Sequence, residues 1–409
     1  MKLKSNDTAM KSPTQRYIEK DLRYGAGNYA PLPVVLARGE GVFVWDVEGK
    51  RYFDMLSAYS ALNQGHNHPR IVAAAKAQLD RLCLTSRAFH NDVMGDFLRK
   101  ISELTGMEKV LPMNTGAEGV ETAIKAMRRW GYEVKGVEAG KAEIIVCRDN
   151  FHGRTTTIVG FSTDPDAYEG YGPPTPGFKI IPYDDPAALD AAIGPNTCGF
   201  LVEPVQGEAG VIVPRADYLN RVREICTRRG ILFCADEIQT GFGRTGKMFC
   251  FEHNGIRPDI MIMGKALSGG LYPISAIACA ESIMKVFRPG THGSTYGGNP
   301  LASAIGSAAL DVLVEERLPE KAARLGDYFL SKLNLIQHPK IKARRGKGLL
   351  MAIEFTEPLA KEFCKKLLAL GVLAKDTHHV TVRFAPALVI TLPQIDETVE
   401  IIRSALAQL

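Results

Sequence analysis

The chain has 409 residues, 45% hydrophobic and 23% charged, and a formal net charge of +5 from 50 basic and 45 acidic side chains. This is globular usage with room for two or three domains, and it excludes a disordered, collagenous or coiled-coil bulk. The charge is mild and scattered, which argues against a nucleic-acid partner, and no apolar run reaches the ~18 residues of a membrane span.

Residues 1–20 hold two early lysines with no apolar segment behind them, together with Asp7 and Glu19, so neither a secretory signal nor a transit peptide is expected. Residues 1–30 read as polar and then irregular backbone, the Gly-, Pro- and Tyr-rich run Tyr24–Pro33 most clearly. Val42–Phe53 reads as a hairpin turning at Glu48-Gly49. From about residue 70 short apolar runs alternate with helices such as Tyr218–Arg229. The runs are Val110–Met113, Glu143–Cys147, Gly199–Glu203, Ile231–Ala235, Ile260–Met263 and Ser275–Cys279. Strands buried on both faces have this look, and the pattern predicts an α/β fold with a mainly parallel central sheet flanked by helices. A long Ala-rich helix follows residue 295, and the last α/β segments form a smaller domain. The eight cysteines include no C-x-x-C pair and read as reduced, mostly buried thiols of a cytoplasmic protein. His66, His68, His378 and His379 lack Cys or carboxylate partners at ligand spacing, so no metal site is expected.

Three features close apolar runs, the edge at which open α/β sheets bind ligands. Asn114-Thr115-Gly116-Ala117 precedes a helix with Val120, Ala123, Ile124 and Met127 on one face. Its free amides suit a phosphate, or the turn is an ordinary one capped by Thr115. Asp236 ends Ile231–Ala235, where a carboxylate needs a cation, an N-cap role or an ion pair, with Arg244 as one partner. Lys265 follows Ile260–Met263, where burial would favour the neutral amine that an imine-forming lysine requires, unless it is merely solvated. Together they describe the needs of pyridoxal 5′-phosphate: a phosphate cradle, an acid for the ring nitrogen and an amine to carry the aldehyde.

With these residues in view the sequence resembles the class III (ω-) aminotransferases of PLP fold type I, from about Tyr17 to the last helix. The family signature lies in Leu201–Gly210, Ala235–Gly241, Gly264–Gly270 and Thr291–Pro300. Tyr24–Pro33, Ser57–His66, Leu84–Phe89, Asn150–Arg154 and Arg383–Ile390 are most similar to the branch that acts on ornithine. The resemblance implies a large cofactor-binding domain over 55–294 and a small domain built from 1–54 and 295–409. It implies a homodimer with shared active sites. It also implies that Lys265 carries the cofactor and moves the proton, that Asp236 pairs with the ring nitrogen, and that Gln239 lies near the phenolic oxygen. Phe151 stacks on the ring, with His152 as a smaller polar wall. Thr115, Gly116 and Ala117 hold the phosphate, completed by Thr295 from the neighbouring subunit.

For the substrate, the resemblance implies that Arg154 takes the α-carboxylate of ornithine and Tyr29 its α-ammonium, with Tyr59 lining the same pocket. Glu208 masks Arg383 until 2-oxoglutarate binds. Acetylornithine, 4-aminobutyrate and other ω-amines are the neighbouring substrate readings. A non-catalytic regulator would need a DNA-binding module, and residues 1–50 show no such pattern. One departure is Gly119-Val120, where the resembled motif has Ala-Gly or Ala-Asn.

Overall fold

The computed structural model describes residues 11–409. Half of the leader reading, residues 1–10 of 1–20, therefore lies outside the described residues. Within the described residues a helix, Pro13–Tyr24, forms in the stretch read only as polar, and the irregular backbone begins where it ends. It buries no residue, although Tyr17, Ile18 and Leu22 gather on one side of it. Its start is nevertheless written locally: Ser12 and Gln15 form a capping box and Pro13 occupies the first turn.

Strands β1 (Leu36–Glu40), β2 (Phe43–Asp46) and β3 (Arg51–Asp54) form an antiparallel meander that contains the expected hairpin. The next strands are β4 (Lys109–Met113), β5 (Glu143–Cys147), β6 (Phe178–Ile181), β7 (Thr197–Val202), β8 (Leu232–Asp236), β9 (Ile260–Met263) and β10 (Ser275–Cys279). They form one seven-stranded sheet in the order β4-β10-β9-β8-β7-β5-β6. Only β10 runs against its neighbours β4 and β9; the other pairings are parallel. The apolar runs do not reveal β6, a half-buried edge strand that leaves Ile180 exposed.

Both faces of this sheet are covered, which is why its strands read as unbroken apolar runs. On one face the helix Gly116–Trp130 buries Val120, Ala123, Ile124 and Met127 against Ile144, Val146, Leu201, Cys234, Ile260 and Ile262. The Gly119-Val120 departure leaves this helix unbroken. A Cβ at Gly119 would lie 3.0 Å from Ile262 Cγ2, so the small residue lets helix and sheet approach closely. On the other face Tyr218–Arg229 packs Leu219, Val222 and Cys226 with Phe200 and Phe233. Each such large side chain contributes about 1.5–3 kcal/mol by leaving water.

The remaining chain folds around strands β11 (Ile341–Lys347), β12 (Leu350–Phe355), β13 (Val372–Leu373), β14 (Lys375–Thr377) and β15 (Thr381–Phe384). Four of them form an antiparallel sheet, β11-β12-β15-β14, while β13 pairs in parallel with β3 and joins the first sheet to the last part of the chain. The Ala-rich helix spans Pro300–Glu315. All eight cysteines are free and only Cys83 is exposed. Among the described residues no helix is long and apolar enough to cross a membrane. His66 and His68 instead bond Asp54 at 2.8 Å and Glu316 at 2.9 Å.

Candidate active site

A cavity of about 220 Å³ opens at the carboxyl edge of the large sheet. Gly116, Ala117, Phe151, His152, Asp236, Gln239 and Lys265 all line it, as do Glu203 and Glu208. Strand order explains the convergence. The strands β5, β7, β8 and β9 are consecutive in the sheet, and each delivers its next residues to the same rim.

Lys265 follows β9 and sits in the left-handed region at φ +44°, a conformation that lysine holds only when its surroundings impose it. Burial lowers its pKa against the opposing pull of Glu208 and Asp236, so its ammonium gives up a proton more readily than an ordinary lysine. Asp236 is buried at the end of β8. One of its oxygens accepts the Ile238 amide at 3.0 Å and the other meets His152 Nδ1 at 2.7 Å. Burial works to depress the His152 pKa, but the hydrogen bond and charge of Asp236 prevail and raise it. Arg244 is not the partner of Asp236. It is fully buried and donates to the carbonyls of Leu349 and Pro386 and to Asn63 Oδ1.

The helix start carries a complete capping box. Glu118 Oε2 accepts the amides of Thr115 at 2.8 Å and Asn114 at 3.0 Å, and Thr115 Oγ1 accepts that of Glu118 at 3.3 Å. Thr115 is exposed and its amide is engaged, so of the expected phosphate cradle only Gly116 and Ala117 reach the cavity wall. Gln239 donates to Glu208 at 3.3 Å and to the Tyr59 carbonyl at 3.4 Å, and its Oε1 is left without a protein partner. Gly207 allows this approach, since a Cβ there would fall 1.4 Å from Gln239 Oε1.

Arg383, on β15, is buried and bonds Glu208 Oε1 at 2.6 Å. Burial tends to raise the Glu208 carboxyl, but the adjacent guanidinium overrides it and holds the pKa below the usual range. Arg383 also lies 5.4 Å from the Tyr59 ring centroid. Four consecutive positive φ values, from Ser57 to Ser60, bend the chain so that Tyr59 reaches this point.

Thr115, Tyr59, Arg383, Tyr29, Arg154 and Thr295 are expected site residues that do not line this cavity, and the last three stand out at the surface. Tyr29 is 78% exposed, Thr295 is exposed, and Arg154 is exposed with its guanidinium 5.8 Å from the Phe151 ring centroid. One functional candidate escaped sequence reading: Glu203, buried, follows β7 just as Asp236 closes β8. The signal is present in Leu201-Val-Glu, an acid directly after an apolar strand.

The donor set fits pyridoxal phosphate: an amine loosened by burial, a fixed carboxylate, two amides at a helix start and an unpartnered buried Gln239 oxygen share one cavity. Fold and site together define a cofactor-dependent transferase of the α/β class. The chain belongs to the class III aminotransferases, whose family profile matches residues 24–406. These enzymes depend on pyridoxal phosphate.

An ornithine aminotransferase from Geobacillus sp. (strain WCH70) is 54% identical over 97% of this chain and 99% of its own. The crystal structure of the ornithine aminotransferase from Toxoplasma gondii ME49 superposes with a TM-score of 0.96 at 43% identity, covering 99% of each chain. A second structure of the Toxoplasma gondii protein has pyridoxal phosphate at partial occupancy in its active site. An acetylornithine aminotransferase from Elizabethkingia anophelis gives a TM-score of 0.89 at 48% identity, over 98% of this chain and 100% of its own.

Proposed function

We propose that this protein transfers the δ-amino group of L-ornithine to a 2-oxo acid such as 2-oxoglutarate, giving glutamate 5-semialdehyde and an amino acid in two half-reactions. The observation that carries this reading is the Glu208–Arg383 pair, a guanidinium neutralised at the cavity by a carboxylate that itself lines it. A donor such as ornithine brings one carboxylate and a second amine, and a free arginine here would invite that carboxylate and present the wrong nitrogen. A dicarboxylic oxo acid needs the same arginine exposed. One pair that opens and closes serves both substrates.

Bound pyridoxal phosphate supplies the electron sink for amine transfer. Lys265 Nζ takes and returns the proton at the carbon bearing the transferred amine, a task suited to a pKa lowered by burial. In the loaded site Asp236 would pair with the ring nitrogen, Gln239 would serve the phenolic oxygen and Phe151 would pack on the ring. Gly116 and Ala117 would hold the phosphate through their amides, with Thr115 beside them. Arg154 binds the α-carboxylate of ornithine, Tyr29 its α-ammonium, and Tyr59 lines that pocket. The exposure of Tyr29, Arg154 and Thr295 supports a homodimer in which a second copy covers this rim and brings its own Thr295 to the phosphate. Division into 55–294 and a small domain of 1–54 with 295–409 accompanies this reading. Seven buried free thiols suit the reducing cytoplasm.

Acetylornithine is the second reading, favoured by the Elizabethkingia neighbour. A donor panel of ornithine, N-acetylornithine, 4-aminobutyrate and lysine with 2-oxoglutarate decides between them. The expected result is highest kcat/KM for ornithine with trapping of the cyclised semialdehyde. Preference for N-acetylornithine would overturn the assignment. Lys265→Ala should lower kcat by about 10²–10⁴-fold.

A further inference from the structure

The strand-end acid that the proposed chemistry leaves unused is Glu203. Val202 pairs with Ala235 in the sheet, so Glu203 and Asp236 leave adjacent parallel strands side by side. They grip consecutive residues of one loop. Asp236 holds the His152 ring at 2.7 Å, and Glu203 Oε2 accepts the backbone amide of Phe151 at 3.0 Å. The Tyr183 hydroxyl donates to the Glu203 carbonyl at 3.1 Å and fixes this strand end from behind.

We propose that Glu203 is a positioning residue of the active site: its carboxyl sets the Phe151 backbone against the cavity, and its charge state is felt by the Asp236–His152 pair beside it. The inference rests on the cofactor assignment above for its consequences, but not for its geometry.

The groups that face Glu203 are Asp236 and His152 on its own rim, Glu208 further along the same loop, Lys265 after β9, the Tyr183 hydroxyl after β6 and the Cys147 thiol at the end of β5. Two adjacent carboxylates cannot both ionise cheaply in a dry site. Burial raises the Glu203 pKa to about 7; Asp236 and Glu208 push the same way, while His152 and the Phe151 amide oppose them. Below that pH Glu203 is neutral. Above it a negative charge enters the rim at Glu203 and favours protonated forms of His152 and Lys265.

The test is a titration across about pH 5.5–8.5. Two readouts are followed: visible absorbance of the cofactor-loaded enzyme, and the carboxyl stretch of the cofactor-free protein in difference infrared spectra. Wild type should show a step near pH 7 in both, and Glu203→Gln, which keeps an oxygen acceptor for Phe151, should lose both steps. Cofactor Kd should stay within about 3-fold in Glu203→Gln and rise about 10-fold in Glu203→Ala, where the acceptor is gone. A step that persists in Glu203→Gln, or a wild type without an infrared step, overturns the proposal. So does an unchanged Kd in Glu203→Ala. Absence of lysine-bound cofactor absorbance in wild type would overturn the cofactor assignment instead, and the infrared step would still decide the role of Glu203.

Discussion

Glu208 conceals a cation, and removing its charge should reveal what that cation attracts. In Glu208→Gln the Arg383 guanidinium keeps a neutral neighbour and is free to bind carboxylates. We expect KM for 2-oxoglutarate to fall about 10-fold and the semialdehyde share of ornithine turnover to drop, because a charge-assisted hydrogen bond of about 1.5–3 kcal/mol no longer competes. Steady-state kinetics with product analysis checks this; unchanged regiochemistry would refute the masking role. Lys265 and Asp236 are legible in the sequence because charge at the end of an apolar strand is costly and so calls for a reason. Glu203 satisfies the same criterion at the end of β7, but Leu201–Gly210 reads whole as a family signature and hides it. The links between side chains, such as His152 to Asp236, are not legible: they join residues far apart in sequence and depend on which strands are neighbours.

Backbone meets backbone closely where the helix Leu318–Asn334 crosses the turn between β11 and β12. A Cβ at Gly326 would fall 2.1 Å from the Gly348 carbonyl oxygen, and Gly348 itself holds φ +57° with Thr245 backbone against it. Backbone on both sides cannot yield as a flexible side chain would, so Gly326→Ala should destabilise the protein by about 3 kcal/mol in chemical unfolding, and a loss below about 0.5 kcal/mol would contradict the packing described. Periodicity locates the buried strands and the helices Gly116–Trp130 and Tyr218–Arg229 because burial on fixed faces shapes their composition. It overlooks Pro13–Tyr24, whose helix is set by its cap and not by a buried face, and it cannot give the direction of β10. A strand covered on both sides has the same apolar makeup whichever way it runs.

At the scale of the molecule, the exposed Thr295 makes a prediction about subunits. If it completes the neighbour's phosphate site, Lys265→Ala and Thr295→Glu chains, each inactive alone, should regain roughly a quarter of wild-type activity when refolded together in equal amounts, since one site of each mixed dimer is intact. If Thr295 serves its own chain, every mixed site carries a defect and activity stays absent. Chain connectivity adds a constraint of another kind. Because β3 lies beside β13, Phe53 must wait for Val372 before its edge is covered. On the ribosome the first meander therefore emerges as an open template for nearly the whole of synthesis. Late closure of that seam, rather than assembly of the central sheet, is where a truncated or stalled product would be caught by chaperones or would pair with the wrong strand.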